Sequence, residues 1–192
     1  IRKSLKEMFP DVPPHTNEVI SYDLSDAERK LYDKIRKELI MELKPDEVSN
    51  ITHLSTLQNA LVKMQKLQEL TDHPLLIGDS IQTSTKFEIL EEKLSDTLSG
   101  NSYKAVVYSK FTRVIKMLEF SLAMYNPVSI TGSVSAEDRA ERIKRFKSDP
   151  HCRVMLMTTA GSEGISLEEA SFIFKMDTPF SIGRDTQLSG RI

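Results

Sequence analysis

Cysteine is almost missing from this sequence. Cys152 is the one cysteine in 192 residues, so no disulfide can close within the chain, which fits a reducing compartment. It follows His151 at the mouth of an apolar run, where it reads as a small strand-edge residue rather than a nucleophile. Histidine is sparse as well: His15, His53, His73 and His151 stand without ligand spacing, and no metal site is expected. No apolar run approaches the roughly 18 residues of a membrane span. Nothing resembles a signal peptide, and an intracellular location (cytoplasm with nucleoid, or nucleus) is expected. A dominant sign of charge is missing too, with 26 Lys and Arg against 28 Asp and Glu. A formal net charge of −2 excludes a uniformly basic nucleic-acid binder. The phosphate loop G-x-x-x-x-G-K-[ST] is absent, and no strand ends in a paired-acid motif suited to magnesium, so a nucleotide-hydrolysing centre is incomplete in this chain.

What is present is ordinary globular material, 39% hydrophobic and 28% charged, enough for one core and an appended subdomain. Charge is unevenly spread: Asn101 to Pro150 holds nine Lys/Arg against five Asp/Glu. The chain begins at Ile1 and ends at "SGRI", which reads as a piece of something longer.

The rhythm of the sequence changes near Gly78 to Thr85. Before it the pattern is helical. Ala27, Leu31, Ile35, Leu39 and Leu43 recur every four residues behind Ser25 as N-cap. A second helix carries Leu54, Leu57, Leu61, Met64 and Leu67 and stops before Pro74. The pair reads as an antiparallel hairpin. "NEVISYDL" ahead of it reads as a strand and "MFPDVPPHT" as a linker. The expected organisation is a linker and opening strand over 1–25, a helical protrusion over 26–78, and an α/β domain over 79–192. In that domain "KAVVY", "VSIT", "RVMLMTT" and "SFIFKMD" are strands alternating with amphipathic helices from Lys86, Phe111 and Ser135, and a short helical piece lies between the last two strands. This alternation predicts an α/β fold, a parallel sheet with helices on both faces. In such sheets ligands sit beyond the carboxyl ends of the strands.

Those ends are rich in small polar residues: Ser109-Lys110, Thr131-Gly132-Ser133, and Thr158 to Gly161. Hydroxyls and glycine amides there can hold phosphate oxygens without reading bases, and Lys110, Arg113 and Arg139 add positive charge nearby. Ser, Thr and Gly are equally what ordinary βα turns contain, so spacing alone leaves both readings open. Gln187 and Arg191 in "QLSGRI" fit either a surface pair or a phosphate clamp.

In order, "KAVVYSKFTRVIKMLE", "ITGSVSAEDRAERIKRFKSDP", "VMLMTTAGSEGISLEEASFIFKMDTPFS" and "QLSGRI" resemble the second RecA-like lobe of superfamily-two helicase motors, most closely SWI/SNF-type double-stranded DNA translocases. These segments correspond to motif IV, the DNA-contact segment after it, motif V and the start of motif VI. "SYDLSDAERKLYDKI", "LQELTDHPLLI" and "STKFEILEEKL" match upstream, so the likeness covers nearly the whole chain. The resemblance implies a RecA-like fold and a DNA-dependent ATPase that clamps ATP and Mg2+ between two lobes, the other being an N-terminal RecA-like lobe of the same protein. It places Ser109, Lys110, Arg113, Gly132, Ser133, Arg139, Thr158 and Thr159 along the backbone of double-stranded DNA. Glu163, Gly164, Gln187 and Arg191 fall at the ATP cleft, with Gln187 and Arg191 in catalytic roles. Phe180 stands where the family usually has Trp, and Lys110 where it often has Gln. A second arginine is usual three residues beyond Arg191, and the chain ends one residue beyond it. The chain alone is therefore expected not to hydrolyse ATP. Binding is expected to fall steeply with salt and to show little sequence preference. The competing reading is a non-catalytic nucleic-acid- or protein-binding module on the same fold.

Overall fold

The structure is a computed structural model that describes residues 16–42, 50–158 and 166–177, with side chains 42 and 50–56 left aside. A run such as Ala105-Val106-Val107-Tyr108 has no side to show to water, so it must be covered twice. The sequence meets that demand with a four-stranded sheet. β1 (Ala105–Tyr108), β2 (Val128–Ile130), β3 (Val154–Met157) and β4 (Phe172–Lys175) pair in parallel in the order β2-β3-β1-β4. Side chains alternate across it, because the strand period is two. Ala105, Val107, Val154 and Leu156 enter one core with Phe87, Leu90, Leu94 and Leu98 of α3 (Thr85–Leu98) and Val114, Ile115 and Leu118 of α4 (Thr112–Ser121). Val106, Tyr108, Met155 and Met157 enter the other with Phe146 of α5 (Ala136–Ser148). This is the α/β architecture expected from the alternation of elements.

The starts of α3 and α5 are closed by serine side chains. Ser84 accepts from the Phe87 amide and Ser135 from the Asp138 amide. At the far end of α5 the Lys104 ammonium donates to the carbonyls of Phe146 and Asp149, a cation where the helix dipole is negative.

Before the sheet, α1 (Asp26–Glu42) and α2 (Asn50–Asp72) pack side by side, with Lys63 3.8 Å from Glu38 between them. Pro74 ends α2 as expected. His73 accepts the Leu75 amide at its Nδ1, and Gly78, at φ 80, closes the 3-10 turn Pro74–Ile77 in the left-handed region. Glu28 is 1% exposed and joins two helix starts. It accepts the Ser25 amide and hydroxyl at 3.0 and 2.7 Å, and the Thr85 amide and hydroxyl at 3.1 and 2.5 Å. Burial works against its charge, but these donors hold its carboxyl below the usual range.

Two expectations are corrected here. Residues 16–25 form no strand, and Val19 is 87% exposed. Period-two apolarity makes a strand only where a neighbour takes up its N–H and C=O groups. The segment is held by its side chains instead, Tyr22 donating to the Thr71 carbonyl at 3.4 Å. The α2 stripe is also displaced. Leu57, Leu61 and Met64 are exposed and Leu67 half-buried, while Ala60 and Leu70 are buried. Leu43 and the Leu54 side chain lie outside what is described, as does part of the short piece expected before β4, where residues 168–169 form a turn.

Candidate nucleic-acid interface

The sheet register builds the site. Ile130 stands beside Met157, Met157 beside Tyr108, and Tyr108 beside Lys175. The next residues, Thr131, Thr158, Ser109 and Met176, therefore form a row across the carboxyl edge. Backbone bonds continue the ladder through it: Thr158 N to Ile130 O at 3.1 Å, Ser109 N to Met157 O at 3.1 Å, and Met176 N to Tyr108 O at 2.9 Å. Adjacent strands lie about 4.8 Å apart, so Thr131 to Ser109 spans about 10 Å.

On the β2 side the row opens to solvent. Gly132 and Ser133 are exposed, Thr131 Oγ1 lies 3.0 Å from Ser133 Oγ, and Arg139 is half-buried on α5. Thr158 in the middle is 4% exposed, and its buried hydroxyl has no hydrogen-bond partner among the described residues. On the β1 side the polar groups are satisfied internally. Ser109 is fully buried; its Oγ donates to Asp177 Oδ2 at 2.6 Å and accepts the Phe111 amide at 3.1 Å. The Lys110 amide donates to the same Asp177 oxygen at 3.0 Å. The Lys110 ammonium meets Gln68 Oε1 and sits 4.8 Å from the Phe111 ring. Arg113 donates to the Leu76 carbonyl at 2.7 Å and the Leu75 carbonyl at 3.4 Å, fastening α4 to the 3-10 turn.

Beneath the β1 turn lies a buried ionic group that the sequence reading missed. Lys86 Nζ is 2.5 Å from Asp72 Oδ1 and 2.6 Å from the Met176 carbonyl. Asp72 is fully buried and Asp177 is 8% exposed. Burial, reinforced by Asp177, pushes the Asp72 carboxyl up to about 8 against the pull of Lys86. Burial opposes the Lys86 charge, yet the Asp72 field holds the ammonium above its usual range. The available signal was an aspartate closing the apolar strand "SFIFKMD" at the ligand edge of the sheet.

Of the residues expected at DNA, Ser109, Thr158, Gly132 and Ser133 come together along this edge, with Arg139 beside it. Lys110 and Arg113 turn toward α2 and the 3-10 turn. Thr159, Glu163, Gly164, Phe180, Gln187 and Arg191 lie outside the described residues. Among the described residues no cluster of three or more His, Cys, Asp or Glu offers a metal site, and no helix is long and apolar enough to cross a membrane.

Residues 85–192 match the Helicase conserved C-terminal domain. The chain is 23% identical over its whole length to the CHD3-type chromatin-remodeling factor CHR7 of Arabidopsis thaliana, and 25% to the nuclear protein STH1/NPS1 of Saccharomyces cerevisiae. It spans only 17% and 15% of those proteins. Among solved structures, the C-terminal part of the Fun30 ATPase domain matches at TM-score 0.72 and 17% identity, covering 93% of this chain and 80% of that one. The Sulfolobus solfataricus SWI2/SNF2 ATPase core in complex with dsDNA matches at 0.64 and 23%, covering 81% of this chain and 33% of that one.

Proposed function

The chain belongs to the helicase conserved C-terminal domain family, and from that premise we propose that it is the second motor lobe of an ATP-dependent double-stranded DNA translocase or remodeller. Its part is to grip the DNA backbone and to complete an ATP cleft. One observation carries the reading: adjacent strands end in Thr131 and Thr158, with exposed Gly132 and Ser133 beside them and a buried Thr158 hydroxyl lacking a partner among the described residues. On DNA the edge opens around Thr158 and a phosphate oxygen supplies that partner, and nothing in the described row reads a base edge. Similarity to an ATPase core in complex with dsDNA and to a chromatin-remodeling factor supports duplex DNA as the ligand.

The nucleotide role rests on the resemblance of the segment containing Glu163, Gly164, Gln187 and Arg191. ATP and Mg2+ belong to the complete two-lobe protein, with the N-terminal lobe supplying the phosphate loop and the metal-binding acids. In that protein Arg191→Ala should lower duplex-stimulated ATP turnover about 10³-fold while duplex binding persists. Unchanged turnover would remove Arg191 from the cleft.

A further inference from the structure

We propose that Asp72 carries a proton that it turns toward Asp177 where the helical protrusion meets the sheet, and that this makes Asp72 a positioning residue for the Ser109–Lys110 turn. Its bearing on DNA rests on the function proposed above. Asp72 ends α2, Lys86 opens α3, and Asp177 follows β4, so three separate elements converge on one buried spot. Asp72 Oδ1 takes the Lys86 ammonium, while Asp72 Oδ2 is buried with no donor among the described residues. The Lys86 ammonium bridges Asp72 Oδ1 and the Met176 carbonyl, which brings Asp177, the next residue, to the same spot, and Asp177 Oδ2 already holds the Ser109 hydroxyl and the Lys110 amide. A second buried carboxylate at the same spot disfavours an ionised Asp72, and a buried carboxylate oxygen without a donor is costly. A proton on Asp72, turned toward Asp177, resolves both problems and leaves one negative charge opposite Lys86.

The other groups facing the site do not replace that proton. Burial keeps the Tyr22 phenol above its usual range and therefore neutral, and it keeps the neighbouring His73 below its own. Glu28 is held as an anion by Ser25 and Thr85.

Loss of the proton would set two anions against each other under the turn. Asp177 would shift from the groups that shape the turn, and an extra negative charge would lie beneath the phosphate track. The Asp72 carboxyl, at about 8 in the folded chain, lies above its unfolded value. Its stabilisation is thus fully present at acid pH and is lost as pH rises toward about 8.

The test is a carboxyl ¹³C NMR titration of the full chain, following the Lys110 amide in the same samples, alongside thermal melts and duplex binding of wild type and Asp72→Asn. Asparagine can donate to Asp177 and accept from Lys86, imitating the protonated state. The expected result is an Asp72 midpoint well above the ordinary carboxylate range, with the Lys110 amide moving at that midpoint. Wild-type Tm and duplex affinity should fall as pH rises, whereas in Asp72→Asn the Tm, affinity and amide should lose this dependence. An Asp72 midpoint near the ordinary value, or a Lys110 amide blind to it, overturns the proposal. Should the variant not fold, the wild-type titration decides alone. Failure to bind duplex at any pH counts against the proposed function, and the carboxyl and amide titrations still decide the Asp72 proton.

Discussion

Thr158 shows what a single hydroxyl can reveal. A threonine after the apolar run "VMLM" was legible in the sequence as a strand-end polar residue. That its hydroxyl is buried without a partner among the described residues was not, because burial depends on what α5 and the neighbouring strands cover. Thr158→Val keeps the shape and removes the orphan. Thermal stability should hold or rise, since no hydrogen bond is lost. Duplex affinity should fall about tenfold, as a hydrogen bond to a charged phosphate is worth about 1.5–3 kcal/mol. Unchanged affinity in a fluorescence titration would place the phosphate elsewhere. Ser109 was legible only in part. Its position at the sheet edge followed from the strand pattern, but its hydroxyl serves Asp177, 68 positions away, and no local pattern announces a pair so distant.

Elements were read well where one sheet decides everything. Each of β1 to β4 is a short apolar run with turn residues behind it, and α3 to α5 carry their apolar faces at helical spacing, so local pattern and tertiary packing agree. The protrusion is different. α2 has leucine on several faces, and only its partner decides which one is hidden. Leu70 is fully buried, whereas Leu61 is 64% exposed. Leu61→Lys should therefore change stability by less than about 0.5 kcal/mol. Leu70→Ala should cost about 2–5 kcal/mol, through lost transfer energy and a cavity. Urea titration of both variants checks this. A large loss for Leu61→Lys would return the seam to the stripe of Leu57, Leu61 and Met64. "NEVISYDL" failed for a related reason: apolar alternation states what a segment would bury, not whether a sheet edge is free to receive it.

At the scale of the whole molecule, the positive excess between Asn101 and Pro150 proves to be largely occupied with holding the fold together. Lys104 closes α5, Arg113 clamps the 3-10 turn, Arg142 donates to the Ser129 carbonyl at 2.6 Å, and Lys147 pairs with Glu169 at 3.0 Å. Arg145 reaches Asn126 and Asp149, and Lys110 meets Gln68. Among the described residues, the edge itself is lined chiefly by hydroxyls and glycine backbone, which bind phosphate without neutralising it. This changes the salt dependence expected from the sequence. The slope of log K against log salt is about −0.9 for each phosphate neutralised by Lys or Arg, and a basic-patch binder making 6–10 such contacts loses about 10³–10⁵ in affinity from 50 to 200 mM salt. Because so many of the described cations are engaged within the fold, a shallower slope of about −1 to −2 is expected for this chain instead. Titrating one duplex at several salt concentrations measures it directly. A shallow slope with little sequence preference would mean that the lobe holds DNA by fitted backbone contacts and relies on the rest of the motor for electrostatic affinity. A slope near −6 or steeper would mean that several of these lysines and arginines leave their internal partners for phosphate, so that the clamps described here belong to the DNA-free state alone.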